Sequence, residues 1–190
     1  MTTLAPTLST RYFPRASSWV RDLVLIFMGS LLIAAFAQIR IPLPFTPVPI
    51  TGQTFAVLLV GAALGSKRGI LAMLLYICEG ALGLPFFAGG TGGLQVLTGA
   101  TAGYLIGFIA AAYVIGLLAE RGLDRNVKTS IIPFLVGTLI IYLFGVAWLA
   151  ILMGSFGKAI VAGLLPFLVG DGIKLIAAAL ALPAAWKLIE

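Results

Sequence analysis

Asp171 and Lys174 lie one helical turn apart in the run Gly170-Asp171-Gly172-Ile173-Lys174, within the last and otherwise apolar stretch of a 190-residue chain. Residues three apart share one face of a helix. A charge at membrane depth is costly and as a rule is kept for function. Two chemistries are open to the pair. It can be an internal ion pair that lets both charges exist in apolar surroundings. Alternatively, each member can meet a ligand group, since a carboxylate accepts hydrogen bonds and an ammonium holds an anion. In the second reading the pair suits a small molecule carrying N–H donors and a carboxylate. Gly170 and Gly172 leave space beside the aspartate.

The rest of the residue inventory excludes most enzyme chemistry. Histidine is absent and Cys78 is the single cysteine. No disulfide can form within the chain, no His/Cys metal site can be built, and serine–histidine or cysteine–histidine catalysis is ruled out. Cys78 is expected to be a small packing residue. A membrane aspartyl protease needs two aspartates sharing a proton, but Asp22 and Asp124 belong to the opposite margin of the membrane from Asp171 in the topology below. No Gly-x-x-x-x-Gly-Lys-Ser/Thr loop is present. The expectation is a protein that is not an enzyme and needs neither metal nor cofactor. A carrier working alone, with Asp171 as a protonation site, is a further alternative.

The elements that must position the pair are transmembrane helices. Apolar residues make up 61% of the chain, and the mean hydropathy is +1.15, far from the balance of a soluble domain. The expected fold is an all-α membrane protein of one integral domain, 1–190, built as a six-helix bundle. The spans fall at about 23–39, 54–64, 69–84, 101–118, 131–153 and 165–186, after an N-terminal segment, 1–20, with no apolar core for a cleavable signal. The second and third are short against the roughly 17–25 residues a crossing helix uses. They can begin in non-helical backbone if protein or a cavity covers it.

Basic residues set the orientation. Arg11, Arg15, Arg21, Lys67, Arg68, Arg121, Arg125, Lys128 and Lys187 share one side of this topology. Arg40, Lys158 and Lys174 lie on or toward the other. The excess places both termini in the cytoplasm, in a multi-pass protein surrounded by lipid. The net charge of +6 is thereby explained by topology rather than by nucleic acid.

The outer loops are apolar and rich in glycine and proline. Arg40 to Gln53 carries prolines at 42, 44, 47 and 49, which stiffen it into an extended segment. Gly83 to Gly93 carries Gly89, Gly90, Gly92 and Gly93. Both loops, with a third at 154–163, are expected to pack over the outer helix ends as a lid.

Several further residues are candidates. Gln53, at the top of the second span, can donate and accept a hydrogen bond or cap backbone. Glu79 either snorkels to the interface or lines the cavity of Asp171. Arg40 reads as an interfacial anchor. Phe45, Phe86, Phe87, Tyr104 and Trp148 fit an aromatic belt or a pocket wall. Ser30 and Ala34, four apart on the first span, allow close helix approach, either inside the bundle or against another membrane protein.

Four motifs together carry a family resemblance. They are Pro47-Val48-Pro49-Ile50-Thr51-Gly52-Gln53-Thr54, Gly83 to Gly93, Gly103-Tyr104-Leu105-Ile106-Gly107-Phe108, and Pro166-Phe167-Leu168-Val169-Gly170-Asp171-Gly172-Ile173-Lys174. In this order and spacing the chain resembles BioY, the biotin-specific substrate-binding subunit (S-component) of energy-coupling-factor transporters of the bacterial cytoplasmic membrane.

The resemblance implies a six-helix bundle with biotin as ligand near the outer face. It also implies a membrane coupling subunit and separate ATPase subunits as partners. It assigns the ureido ring to Asp171, the valerate carboxylate to Lys174, a pocket wall to Tyr104, and a cover to the glycine loop with Gly89, Gly90 and Gly93. The sequence departs from the family at Thr91, where relatives can carry a ureido-contacting asparagine. It departs again at Leu105, where some carry a basic residue, and at Ser30, where the docking motif has alanine.

Overall fold

A computed structural model describes residues 3–188. The described residues form helices joined by loops, with one short two-stranded ribbon. Helices α1 (Leu4–Tyr12), α2 (Ser18–Ala37), α3 (Gln53–Leu64), α4 (Ser66–Ala81), α5 (Ala102–Glu120), α6 (Val127–Met153), α7 (Phe156–Gly163) and α8 (Leu168–Lys187) follow in order. Strands β1 (Arg40–Ile41) and β2 (Ile50–Thr51) lie between α2 and α3.

Among the described residues four elements are long and apolar enough to cross a membrane: α2, α5, α6, and the continuous stretch Phe156–Lys187 that joins α7 to α8. Helix α3 is apolar but shorter, and α4 has 16 residues. The outward surface is itself apolar. Phe27 and Met28 on α2, Leu139 and Leu143 on α6, and Ile173 and Ile176 on α8 are all exposed, a pattern suited to hydrocarbon rather than water.

Because lipid gives no hydrophobic drive for helix association, close approach through small residues does that work. On α5, Gly107 sits where an added Cβ would come within 3.0 Å of the Ile141 backbone of α6. On α3, Gly61 meets Ala112 of α5 at the same distance. The turn between α3 and α4 is held from α5. Gly65 takes φ +83°, and Glu120 accepts hydrogen bonds from the Ser66 backbone N–H (2.7 Å) and hydroxyl (2.8 Å). The Ser66 N–H, at the start of α4, would otherwise lack an intrahelical acceptor.

Within the N-terminal segment α1 forms and buries Leu4. Two expectations change here. The stretch 154–163 is not a loop but α7. Its Ser155 side chain accepts from the Lys158 N–H, and Gly154 ends α6 in the left-handed region, so a cap at each side of one residue step restarts the helix. Cys78 is exposed on α4 rather than packed inside.

Candidate functional site

The antiparallel pairing of β1 and β2 sets Arg40 opposite Thr51 and Ile41 opposite Ile50. It closes the proline segment into a hairpin-like loop. Thr46 fastens that loop to α7 by donating its hydroxyl to the Ala162 carbonyl at 2.7 Å, and Val48 is buried beneath it. The glycine loop docks alongside. Gly89 N–H donates to the Ala37 carbonyl (3.2 Å), Phe87 N–H to the Thr91 carbonyl (2.9 Å), and Gly93 N–H to the Gly80 carbonyl (2.7 Å). Gly89, Gly90 and Gly93 have φ of +71°, +77° and +96°, values at which a side chain is strained.

Beneath these loops lies a cavity of ≈ 320 Å³, at the lower end of the roughly 300–1,000 Å³ usual for small-molecule sites. Both loops line it, as do α3, α5, α6 and α8.

Asp171 and Lys174 project into this cavity from the first turns of α8. They pair directly at 2.8 Å. Asp171 Oδ1 also accepts the Thr54 hydroxyl at 3.0 Å, and Oδ2 accepts the Tyr142 hydroxyl at 2.7 Å. Lys174 Nζ donates to the Thr51 carbonyl (2.7 Å), Thr54 Oγ1 (3.0 Å) and Asp171 Oδ1 (2.8 Å). Thr54 therefore accepts a hydrogen bond from Lys174 and donates its own to Asp171. An ionised carboxylate offers about four acceptor positions. Three are filled by protein, one is left on Oδ2, and Asp171 lines the cavity.

The other expected residues divide into two sets. Gln53, Phe87, Thr91 and Tyr104 line the cavity. Gln53 is oriented by donating to the Tyr76 hydroxyl at 2.6 Å. The Phe87 ring stands edge-on to Tyr76, centroids 5.6 Å apart. Tyr104 is anchored by donating its hydroxyl to the Gly163 carbonyl at 2.6 Å. Thr91 donates to the Ala88 carbonyl at 3.3 Å.

Gly89, Gly90 and Gly93 shape the loop but are not among the lining residues. Glu79 is not a lining residue either. It accepts a hydrogen bond from Ser30 on α2, which explains how its charge is held in an apolar helix. Ser30 and Ala34 are buried, at 0% and 5% exposure. Small side chains here admit α4 rather than offering a surface to another protein, so the outward-docking reading of this pair is corrected.

Thr54 and Tyr142 complete the charge cluster, and the sequence reading did not single them out as site residues. Tyr142 carried a usable signal. A phenol in the middle of an apolar span must find a hydrogen-bond partner, and Asp171 is the acidic residue that the bundle brings to it. Thr54 carried none, because a threonine at a helix start reads as ordinary capping.

The sequence of the chain matches the model of the BioY family over residues 5–190. This chain belongs to the BioY family. It is 40% identical to the biotin transporter BioY of Rhizobium etli over 169 residues, covering 84% of this chain and 90% of that protein. It is 45% identical to the biotin transporter BioY of Thermotoga maritima over 161 residues, covering 85% and 93%. The fold matches the crystal structure of the S-component for biotin from an ECF-type ABC transporter. The TM-score is 0.82 at 25% identity, with 90% of this chain and 95% of that chain covered. The BioY match, over residues 5–190, includes every residue that lines the cavity.

Proposed function

We propose that this protein binds biotin and serves in its uptake as the substrate-specific subunit of an energy-coupling-factor transporter, and that it does so without catalysing a reaction itself. The observation that carries this reading is the free acceptor position on Asp171 Oδ2, beside a cavity of small-molecule size in a BioY-family chain. A bicyclic ureido ring offers the N–H donor that this oxygen lacks. Phe87, Tyr104 and Phe108 present apolar and aromatic surface for the rest of the ring system. Burial of that surface supplies affinity, and the few oriented polar groups supply selectivity. The Pro- and Gly-rich loops are the cover, and Gly89, Gly90 and Gly93 allow its tight path.

The finer topology belongs to the same proposal. All six hydrophobic segments cross the bacterial cytoplasmic membrane, both termini are inside, and the cavity opens outward. The short α3 fits because the bundle buries most of it, and α4, with 16 residues, presents Leu71 and Leu74 outward. The energy comes from ATP hydrolysed by separate subunits, joined through a membrane coupling protein.

Calorimetry of detergent-purified protein tests the binding step. Saturable biotin binding, abolished in Asp171→Ala, is the expected result, and no binding at micromolar biotin sinks the proposal. Uptake into vesicles tests the coupling. Dependence on added ATP-hydrolysing partners is expected, whereas uncoupler-sensitive uptake without them would make the protein a solitary carrier.

A further inference from the structure

The charges around the cavity do not balance, and the excess has a definite place. Arg40, Asp171 and Lys174 are the charged side chains among its lining residues. Asp171 and Lys174 compensate one another at 2.8 Å, which leaves one positive charge. That charge is not available on Lys174. An ammonium has three donors, and those of Lys174 are engaged by Thr51, Thr54 and Asp171. To take an anion, Lys174 would have to release one of these acceptors in a half-buried position, where an abandoned polar group is costly.

Arg40 is in the opposite condition. Among the described residues its guanidinium has neither an ion-pair partner nor a hydrogen bond, although it lines the same cavity. Its position is nevertheless built. The β1–β2 register sets it opposite Thr51, the residue whose carbonyl holds Lys174. Its stem lies against Gly89, where an added Cβ would come within 2.7 Å of Cδ and 2.9 Å of a terminal guanidinium nitrogen. Gly89 thus makes room for Arg40 rather than for a ligand. A planar guanidinium with unengaged donors matches a carboxylate in bidentate geometry better than any other side chain.

We propose that Arg40 is the carboxylate anchor of this site, receiving the acidic end of the ligand at the cavity mouth, while Lys174 acts only to hold Asp171 for the ring end. The inference rests on biotin being the ligand, and it reassigns one end of that ligand. A monoanion then neutralises the cavity, and an uncharged analogue leaves Arg40 unmatched.

Calorimetry with biotin and with biotin amide on the wild type, Arg40→Gln, Arg40→Lys and Lys174→Gln decides the matter. The wild type should prefer biotin by about 10- to 100-fold, the range expected of a charge-assisted bidentate contact. Arg40→Gln should lose that preference while holding the amide within about twofold of wild type. Arg40→Lys should keep part of it, as a point charge without the fork. Lys174→Gln should weaken both ligands by a common factor.

Full biotin preference in Arg40→Gln overturns the proposal, as does loss of the preference in Lys174→Gln alone. A wild type that binds both ligands equally overturns the anchor and leaves the biotin reading standing. A wild type that binds neither overturns the biotin reading and the anchor with it.

Discussion

Asp171 and Asp124 are both buried carboxylates, at 6% and 0% exposure, and they sit at opposite ends of the helix bundle. Asp171 has Thr54, Tyr142 and Lys174 as partners and one acceptor position left beside a cavity. Asp124, in the connection between α5 and α6, accepts the Trp186 indole N–H at 2.7 Å, and its other oxygen has no partner among the described residues. It is not among the residues that line the Asp171 cavity, and Arg125 stacks over the Trp186 ring at 4.5 Å. The first arrangement holds a carboxylate at the wall of a cavity. The second ties the end of α8 to a loop. Burial alone therefore does not mark a binding site. Unfilled acceptor capacity, held rigid beside a space of ligand size, does.

The largest test of this contrast is Asp171→Asn. Removing the charge leaves Lys174 unmatched in half-buried surroundings, a loss of about 3–5 kcal/mol when a buried pair is broken. Biotin affinity measured by calorimetry should fall at least about 100-fold. Unchanged affinity would move the site away from α8. Tyr142→Phe asks whether orientation of the carboxylate matters as well as its charge. It removes one hydrogen bond to a charged acceptor, worth about 1.5–3 kcal/mol, and should weaken biotin about tenfold or more with little change in fold.

Gly80→Val probes the wall. A Cβ at Gly80 would stand 2.5 Å from the Phe87 ring, so the ring must shift into the cavity. Overpacking costs of about 1–3 kcal/mol should lower the unfolding temperature and weaken binding several-fold.

Asp124→Asn should change biotin affinity by less than about twofold. Its effect belongs to stability. Burial raises the Asp124 carboxyl above its usual range, opposed by the Trp186 hydrogen bond and by Arg125. A carboxyl raised in the folded state stabilises fully below its unfolded value, near pH 4, and that contribution is lost as pH rises through the raised value. Thermal unfolding of the wild type should therefore show stability declining as pH increases from about 4, and Asp124→Asn should flatten this slope. A slope of the opposite sign would show that Asp124 is held as the anion.

Much of the frame was legible in the residues. Apolar runs marked the helices α2 to α6 and α8 with ends up to five residues away, because hydrophobicity and length are local properties. The pair at 171 and 174 was visible because charge is rare in such runs. Helix α7 was not legible, since a short amphipathic turn capped by Ser155 resembles a Gly-rich loop in composition. The Glu79–Ser30 bond was not legible either, since it joins residues 49 apart in sequence.

The sequence by itself determined that the chain is helical and suited to a membrane, that it holds no histidine and a single cysteine, and that one acid–base pair lies in an apolar helix. Only the tertiary structure decided which partners that pair meets. Thr51, Thr54 and Tyr142 come from β2, α3 and α6, separated from it by 29 or more residues. Hydrogen-bond capacity is counted in space and not along the chain. Only in space does Lys174 prove to be filled, Asp171 to have one place open, and Arg40 to stand unmatched.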